Sequence, residues 1–136
     1  QKHRVIISTD IGGSDPDDYQ SLVHLLLYAD TLDVVGLISS PPFQGRKEHI
    51  LEVIAAYEQD YPKLKIASSH YPSPDYLRSV TVQGAINSQK SSIPSDEIQA
   101  GSKRIIEDSH SDDNRPLYLI VWGSITDVAQ ASRFAP

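Results

Sequence analysis

The chain has 136 residues, 39% hydrophobic and 22% charged, which is the composition and length of one globular domain with a hydrophobic core. Its net charge of −6 and scattered lysines and arginines exclude an electrostatic site for nucleic acid or for an anionic membrane surface. It contains no cysteine, which excludes zinc–thiolate centres and thiol nucleophiles, and no apolar run approaches the roughly 20 residues needed to span a bilayer.

The first part of the chain predicts a β-α-β unit. The β-branched run from Arg4 to Thr9 is typical of a buried strand. Apolar residues at helical spacing predict a helix from Asp18 to Ala29, and Leu32 to Ser39 is again strand-like. Because such units join parallel strands by a right-handed crossover, we expect a parallel sheet.

The rest of the chain continues the alternation of helices and strands. Helices are predicted from about Arg46 to Gln59, near Asp75 to Val80, from Ser95 to about Glu107 with Ile98 inward, and from about Ser124 with Ile125 inward. Strands are predicted at Lys63 to Ser68 and at Leu117 to Trp122, and the second is apolar on both alternations, as in a central strand covered on both faces. Residues 69–94 read as a long loop, either a binding lid or a surface insertion. The predicted fold class is α/β, an open and mostly parallel sheet with helices on both faces.

The stretch DIGGSDPDD, residues 10–18, places four carboxylates directly after the first predicted strand. Asp15 is expected to cap the following helix and Asp17 and Asp18 to lie in its first turn, but that role leaves Asp10 unexplained. The glycine pair after Asp10 lets the backbone fold back and bring its carboxylate toward the helix start. Two carboxylates about 5 Å apart repel by about 3 kcal/mol at an effective dielectric of about 20, so a proton or a cation must accompany them.

The donors in this loop are all hard oxygen atoms. Neither cysteine nor histidine is present in it, which favours Ca²⁺ or Mg²⁺ over zinc or copper. A dinucleotide site is excluded because the G-x-G-x-x-G motif is absent and the acids repel phosphate. Since ligands of open parallel sheets gather at the carboxyl ends of strands, residues 10–18, 39–45 and 122–126 are expected to converge.

Two segments carry a family resemblance. RVIISTDIGGSDPDD, residues 4–18, resembles the opening strand and D-x-D-P-G-x-D-D loop of the calcium-dependent nucleoside hydrolases, and YLIVWGSITDVAQA, residues 118–131, is similar to their second motif. The segments PDDYQSL, SPDYLRS and VWGS are similar to a nucleoside-hydrolase-related branch associated with carbohydrate metabolism and sometimes described as cellulose-binding. The resemblance implies that residues 1–136 form the N-terminal part of a single nucleoside-hydrolase-like α/β domain, and we expect a C-terminal remainder.

The resemblance also implies an activity, the Ca²⁺-dependent hydrolysis of an N-ribosyl or related glycosidic bond. It implies that Asp10 binds calcium and acts as general base toward a metal-bound water, that Asp18 binds calcium, and that Asp17 contacts sugar hydroxyls. Trp122 falls where the family uses a backbone carbonyl as a calcium ligand. The chain departs from the family pattern at several positions: Ser8 stands in place of its first aspartate, and Asp127 stands where an asparagine is usual. Three extra residues lengthen the loop before Asp17, and SSPPFQG replaces the segment that normally supplies a Gly-Asn pair for ribose.

Three classes of function stay open on the sequence. The first is the glycosidase, with a small nucleoside or carbohydrate as substrate. The second is a non-catalytic carbohydrate-binding relative with the same fold. The third, Mg²⁺-dependent phosphoryl transfer with Asp10 as nucleophile, would need a second acid at the position of Gly12.

Further expectations concern ligand contacts, assembly and location. Phe43, Tyr71 and Tyr76 are candidates for stacking on a sugar ring, although loop aromatics more often serve packing. A homo-oligomer is compatible with the sequence, and neither nucleic acid nor a membrane is expected as a partner. The absence of an initiator methionine slightly favours a processed, secreted or periplasmic protein over a cytoplasmic one.

Overall fold

The computed structural model describes residues 1–41, 43–86 and 97–135, which form a parallel sheet with flanking helices. The strands are β1 (His3–Thr9), β2 (Leu32–Ser39), β3 (Thr81–Gln83) and β4 (Leu117–Trp122). The helices are α1 (Asp17–Leu27), α2 (Lys47–Ala67), α3 (Pro74–Ser79), α4 (Ala100–Ser109) and α5 (Thr126–Phe134). All strand pairs are parallel, in the order β3-β2-β1-β4. The described helices include none that is long and apolar enough to cross a membrane.

The side chains of β1 alternate between two hydrophobic cores. Val5 and Ile7 pack with α1, α2 and α3 on one face of the sheet, whereas Ile6 packs with α4 and α5 on the other. Ile7 is fully buried, and enclosing a side chain of this size contributes about 1.5–3 kcal/mol. Helices therefore cover both faces, which confirms the predicted fold class.

The predicted strand at Lys63 to Ser68 is wrong, because α2 continues to Ala67. The helix passes through Pro62, which removes one backbone hydrogen bond. Tyr61 and Leu64 on either side nevertheless pack against the core that contains Val5 and Ile7. Tertiary packing thus outweighs the local break that proline predicts. The third strand is instead β3, which has three residues and is too short to show a period in the sequence.

The segment predicted as a long loop contains more structure than expected. The short helix predicted near Asp75 is present as α3, and β3 follows it directly. Residues 87–94 lie outside the described part of the chain, as does Ser95, the predicted cap of α4. Ile98 and Ile125, expected to point inward, are exposed by 40% and 65% because each precedes the first turn of its helix, where the helical period does not yet apply.

Strand β4 was predicted to lie at the centre of the sheet and does not do so among the described residues. It pairs with β1 and forms one edge of the sheet. Tyr118 and Leu119 are consequently exposed by 47% and 39%. Both faces of β4 carry apolar side chains, but the described part of the chain covers only some of them.

Two arginines fix the amino ends of the strands, opposite the ends that carry the acidic loop. Arg4 is 4% exposed, donates to the backbone carbonyl of Asp108 at 2.7 Å and pairs with Asp113 at 3.5 Å. Arg115 donates to the Asp33 carboxylate at 2.7 Å. These contacts hold the loop between α4 and β4 against β1 and β2.

Candidate functional site

Three loops meet at the carboxyl ends of the strands, as predicted. A Cβ atom added to Gly45, in the loop after β2, would lie 2.2 Å from the carbonyl oxygen of Ile11. One added to Gly123, after β4, would lie 2.5 Å from Cγ of Asp10. Both loops therefore touch the acidic loop directly, and only glycine allows that approach. The meeting point is beside β1, where the strand order reverses and where ligands of such sheets bind.

Asp18 is held in place by the end of β1. The hydroxyl of Thr9 donates to Asp18 Oδ2 and accepts the backbone N–H of Ile11 at 3.1 Å. Asp18 lies in the first turn of α1 and is 8% exposed. The turn between them is made at Gly12, whose φ of +85° is a conformation that favours glycine. Strand end, turn and helix start are thus joined through one hydroxyl.

Asp10 lies beside Asp18, and its ionisation is perturbed. Burial, followed by a hydrogen bond with the Asp18 carboxyl and the negative charge of that group, raises the pKa of Asp10 from 3.8 to about 6. The charge of Asp17 acts in the same direction. The approach of Asp10 to the helix start, expected from the glycine pair, is therefore present, and it places the Asp18 carboxyl group where its negative charge opposes the ionisation of Asp10.

Asp15 does not cap α1, contrary to the prediction. The N-cap residue is Pro16, and no side chain accepts a capping hydrogen bond there. The cap position is Pro16, one residue after the predicted cap, and the helix begins at Asp17. Asp17 and Asp18 do lie in the first turn, as predicted. Helix capping therefore explains less of the acidic loop than the sequence suggested.

The acidic loop encloses one side of a cleft of about 170 Å³. The cleft is lined by Asp10, Gly13, Ser14, Asp15, Asp17, Asp18 and Trp122. All four residues predicted for the site therefore line one space. Four carboxylates around it attract cations and exclude phosphate and other anions.

The oxygen donors of this cleft fit a hard divalent cation in part. Carboxylates such as those of Asp10 and Asp18 are the donors that Ca²⁺ prefers, and a cation would offset the repulsion that raises the pKa of Asp10. Within residues 1–41, 43–86 and 97–135, no group of three or more histidine, cysteine, aspartate or glutamate side chains is arranged to hold a metal ion. Since Ca²⁺ takes about six to eight oxygen ligands, the backbone carbonyl of Trp122 and water would have to add to these two carboxylates.

Ser8 leaves an unpaired hydroxyl inside β1. The residue is 2% exposed, and its Oγ has no hydrogen-bond partner in the described part of the chain. This is the position at which the family resemblance predicts an aspartate. Relative to that pattern, the strand that leads to Asp10 carries one carboxyl group fewer.

Sequence reasoning missed the role of Asp127, which is fully buried in the first turn of α5. Its Oδ2 accepts from the hydroxyl of Ser40 at 2.5 Å and from the backbone N–H of Ala85 at 2.9 Å. Its backbone carbonyl accepts from Ser102 Oγ at 3.1 Å, and a Cβ atom on Gly84 would lie 2.3 Å from its carboxylate. One residue thus links the ends of β2 and β3 to α4 and α5. These partners are far apart in the chain, so no local pattern reveals the contact.

Comparison with known proteins identifies the family. A family model described as "Cellulose-binding Sde182, nucleoside hydrolase-like domain" matches residues 4–133. A solved structure of a nucleoside hydrolase-related hypothetical protein from Saccharophagus degradans that is associated with carbohydrate metabolism is 34% identical, with a TM-score of 0.91. That match covers 98% of this chain and 33% of the other, so this chain spans about a third of the relative's length. No curated protein matches the chain. The family resemblance is confirmed: the chain belongs to the family of the nucleoside hydrolase-like domain of cellulose-binding Sde182.

Proposed function

We propose that the acidic cleft binds a carbohydrate or nucleoside and hydrolyses an N-ribosyl or related glycosidic bond, with Asp10 as general base. The observation that carries this proposal is that the residues implied by the family resemblance line one cleft, with the carboxyl group of Asp10 beside that of Asp18. A general base is most effective when its pKa lies near the working pH. In the metal-free site, Asp10 with a pKa of about 6 is mostly ionised at neutral pH and is a stronger base than an ordinary aspartate with a pKa of 3.8.

Four residues of the cleft, together with Thr9 behind them, have defined tasks in this proposal. Asp10 takes a proton from the water that attacks an oxocarbenium-like anomeric carbon. Asp17, exposed at the edge of the cleft, accepts hydrogen bonds from sugar hydroxyls. Thr9 orients Asp18 through its hydroxyl and so fixes the carboxyl group beside Asp10. A Ca²⁺ ion held by Asp10, Asp18 and the carbonyl of Trp122 would offset the carboxylate charge and lower the pKa of bound water.

The family supports a carbohydrate as the ligand. Its model is described as cellulose-binding, and the similar protein of known structure is associated with carbohydrate metabolism. A ligand of that kind is also consistent with a secreted or periplasmic location, which we include in the proposal. The anion-repelling cleft favours a neutral sugar over a sugar phosphate.

The test is a hydrolysis assay on the full-length protein with nucleosides and cello-oligosaccharides, in the presence of Ca²⁺ or of a chelator. Asp10→Asn keeps the shape of the side chain but cannot act as a base, so we expect turnover to fall by about 10²–10⁴-fold. Asp112→Asn removes an exposed acid at the opposite end of the sheet and should leave turnover unchanged. If Asp10→Asn keeps the turnover of the wild type, Asp10 is not the general base.

The second candidate function is carbohydrate binding without hydrolysis. Two observations favour it: Ser8 replaces an acid of the family pattern, and the described residues provide only a partial set of metal ligands. Isothermal titration separates the two candidates. A binding-only protein binds sugar in calorimetry and releases no product from any substrate, and the affinity does not require Asp10.

A further inference from the structure

We propose that Phe43 forms an aromatic platform for a pyranose ring beside the acidic cleft, so that the protein binds an oligosaccharide across two adjoining subsites. The proposal rests on the carbohydrate ligand of the proposed function. It does not depend on whether the bond is hydrolysed.

Phe43 differs from the other two aromatic residues considered for stacking. Its side chain is 61% exposed. The hydroxyl of Tyr71 donates to the carbonyl of Leu27 at 2.7 Å, and that of Tyr76 donates to the carbonyl of Val34 at 3.1 Å. Both tyrosines are therefore fixed in structural contacts at the other end of the sheet, whereas the ring of Phe43 is open to a ligand.

The space beside Phe43 adjoins the acidic cleft. A second cleft of about 240 Å³ is lined by Gly13, Ser14, Phe43 and Gln44. Gly13 and Ser14 also line the acidic cleft, so the two spaces share one turn of the chain. A ligand longer than one sugar ring can therefore contact Phe43 and the carboxylates together.

The loop that carries Phe43 is fixed against the acidic loop. The guanidinium of Arg46 donates to the backbone carbonyls of Phe43 at 2.9 Å and of Gly45 at 2.5 Å. Gly45 in turn lies against the backbone of Ile11, with no room for a Cβ atom. The backbone N–H of Arg46 donates to His49 Nδ1 at 2.9 Å, which anchors the start of α2. The backbone that carries the platform is thus held in place before a ligand arrives, which lowers the entropy that binding must overcome.

The chemistry of this surface matches a neutral sugar. The face of a phenylalanine ring is apolar and carries partial negative charge, which suits the C–H groups on the face of a pyranose. The hydroxyl of Ser14 and the amide of Gln44 offer hydrogen-bond partners for the hydroxyls at the edge of the ring. A few placed polar groups beside an apolar surface are typical of small-molecule sites. The neighbouring carboxylates accept from further hydroxyls and repel anionic ligands.

The experiment measures binding of cellotetraose, glucose and inosine to the full-length protein by calorimetry. In Phe43→Ala we expect the affinity for cellotetraose to fall about tenfold and the affinity for glucose to change less than about twofold. Phe43→Trp should restore the affinity for cellotetraose because it restores the aromatic face. Tyr28→Ala, which removes an aromatic side chain that is 66% exposed at the end of α1, is the matched control and should have no effect.

Three results would overturn the platform: no binding of cellotetraose to the wild type, equal affinities in the wild type and Phe43→Ala, or a loss in Phe43→Ala that affects inosine alone. Circular dichroism of Phe43→Ala verifies that the exposed substitution leaves the fold intact. Because the readout is affinity and not turnover, failure of hydrolysis leaves this test valid, and failure of the platform leaves the role of Asp10 untouched.

Discussion

Replacing Asp10 with asparagine is expected to stabilise the metal-free fold at neutral pH. Burial and the neighbouring Asp18 raise the pKa of Asp10 from 3.8 to about 6, and a difference of that size corresponds to about 3 kcal/mol. Solvent reaches part of this site, so screening reduces the effect to about 1–2 kcal/mol. Asparagine keeps the shape and removes the charge. The free energy of unfolding at about pH 7.5 should therefore rise by about 1–2 kcal/mol.

The same substitution should change how stability depends on pH. The folded protein binds a proton on Asp10 more tightly than the unfolded chain does, so this group favours the fold below about pH 4 and loses that effect as the pH rises through about 6. The stability difference between Asp10→Asn and the wild type should grow across this interval and be constant above it. Asp18→Asn removes the neighbouring charge but not the burial, and should reproduce part of the change.

The assay is urea denaturation of the full-length protein at several pH values between about 4 and 8, with and without Ca²⁺. Asp112→Asn is the control, since it removes an exposed acid from the loop before β4. Ca²⁺ should stabilise the wild type and have little effect on Asp10→Asn, because only an ion bound to the folded state adds stability. If Asp10→Asn is no more stable than the wild type at about pH 7.5, the argument from carboxylate repulsion is wrong.

Three further substitutions test other parts of the site. Asp127→Ala should lower the free energy of unfolding by about 2–4 kcal/mol in urea denaturation, since it leaves the buried N–H of Ala85 and the hydroxyl of Ser40 unpaired; a loss below about 0.5 kcal/mol would contradict the linking role. Ser8→Ala should be neutral or stabilising by up to about 1 kcal/mol, because its hydroxyl has no partner in the described chain, and marked destabilisation would reveal one. Gly123→Ala should weaken Ca²⁺ binding measured by calorimetry, since its Cβ would lie 2.5 Å from Cγ of Asp10; unchanged affinity would place the ion elsewhere.

Local patterns predicted the parts of the fold in which sequence and burial agree. The β-branched run of β1 and the helical spacing in α1 are each decided within about ten residues, and both elements are present close to the predicted bounds. The meeting of the three loops followed from a rule about parallel sheets and is confirmed by the close approach of Gly45 and Gly123 to the acidic loop. The assignment of Ca²⁺ and of individual roles to Asp10, Asp17 and Asp18 stays a prediction.

Features decided by distant contacts could not be predicted. The extension of α2 through Pro62 depends on packing of Leu64 against a core formed mostly by other elements. The buried position of Asp127 depends on donors from β2, the end of β3 and α4, which no spacing in the sequence brings together. Phe43 and Tyr71 also differ through tertiary contacts. The hydroxyl of Tyr71 donates to the backbone of Leu27, whereas the ring of Phe43 stays exposed.

Strand β4 has a practical consequence for work with this chain in solution. Its outer edge presents backbone N–H and C=O groups that no described strand pairs, and Tyr118 and Leu119 add apolar surface beside it. Such an edge is a template for intermolecular β-pairing. Concentrated samples should therefore self-associate along this strand, and light scattering ought to precede any titration, so that turbidity or clustering is not mistaken for ligand binding.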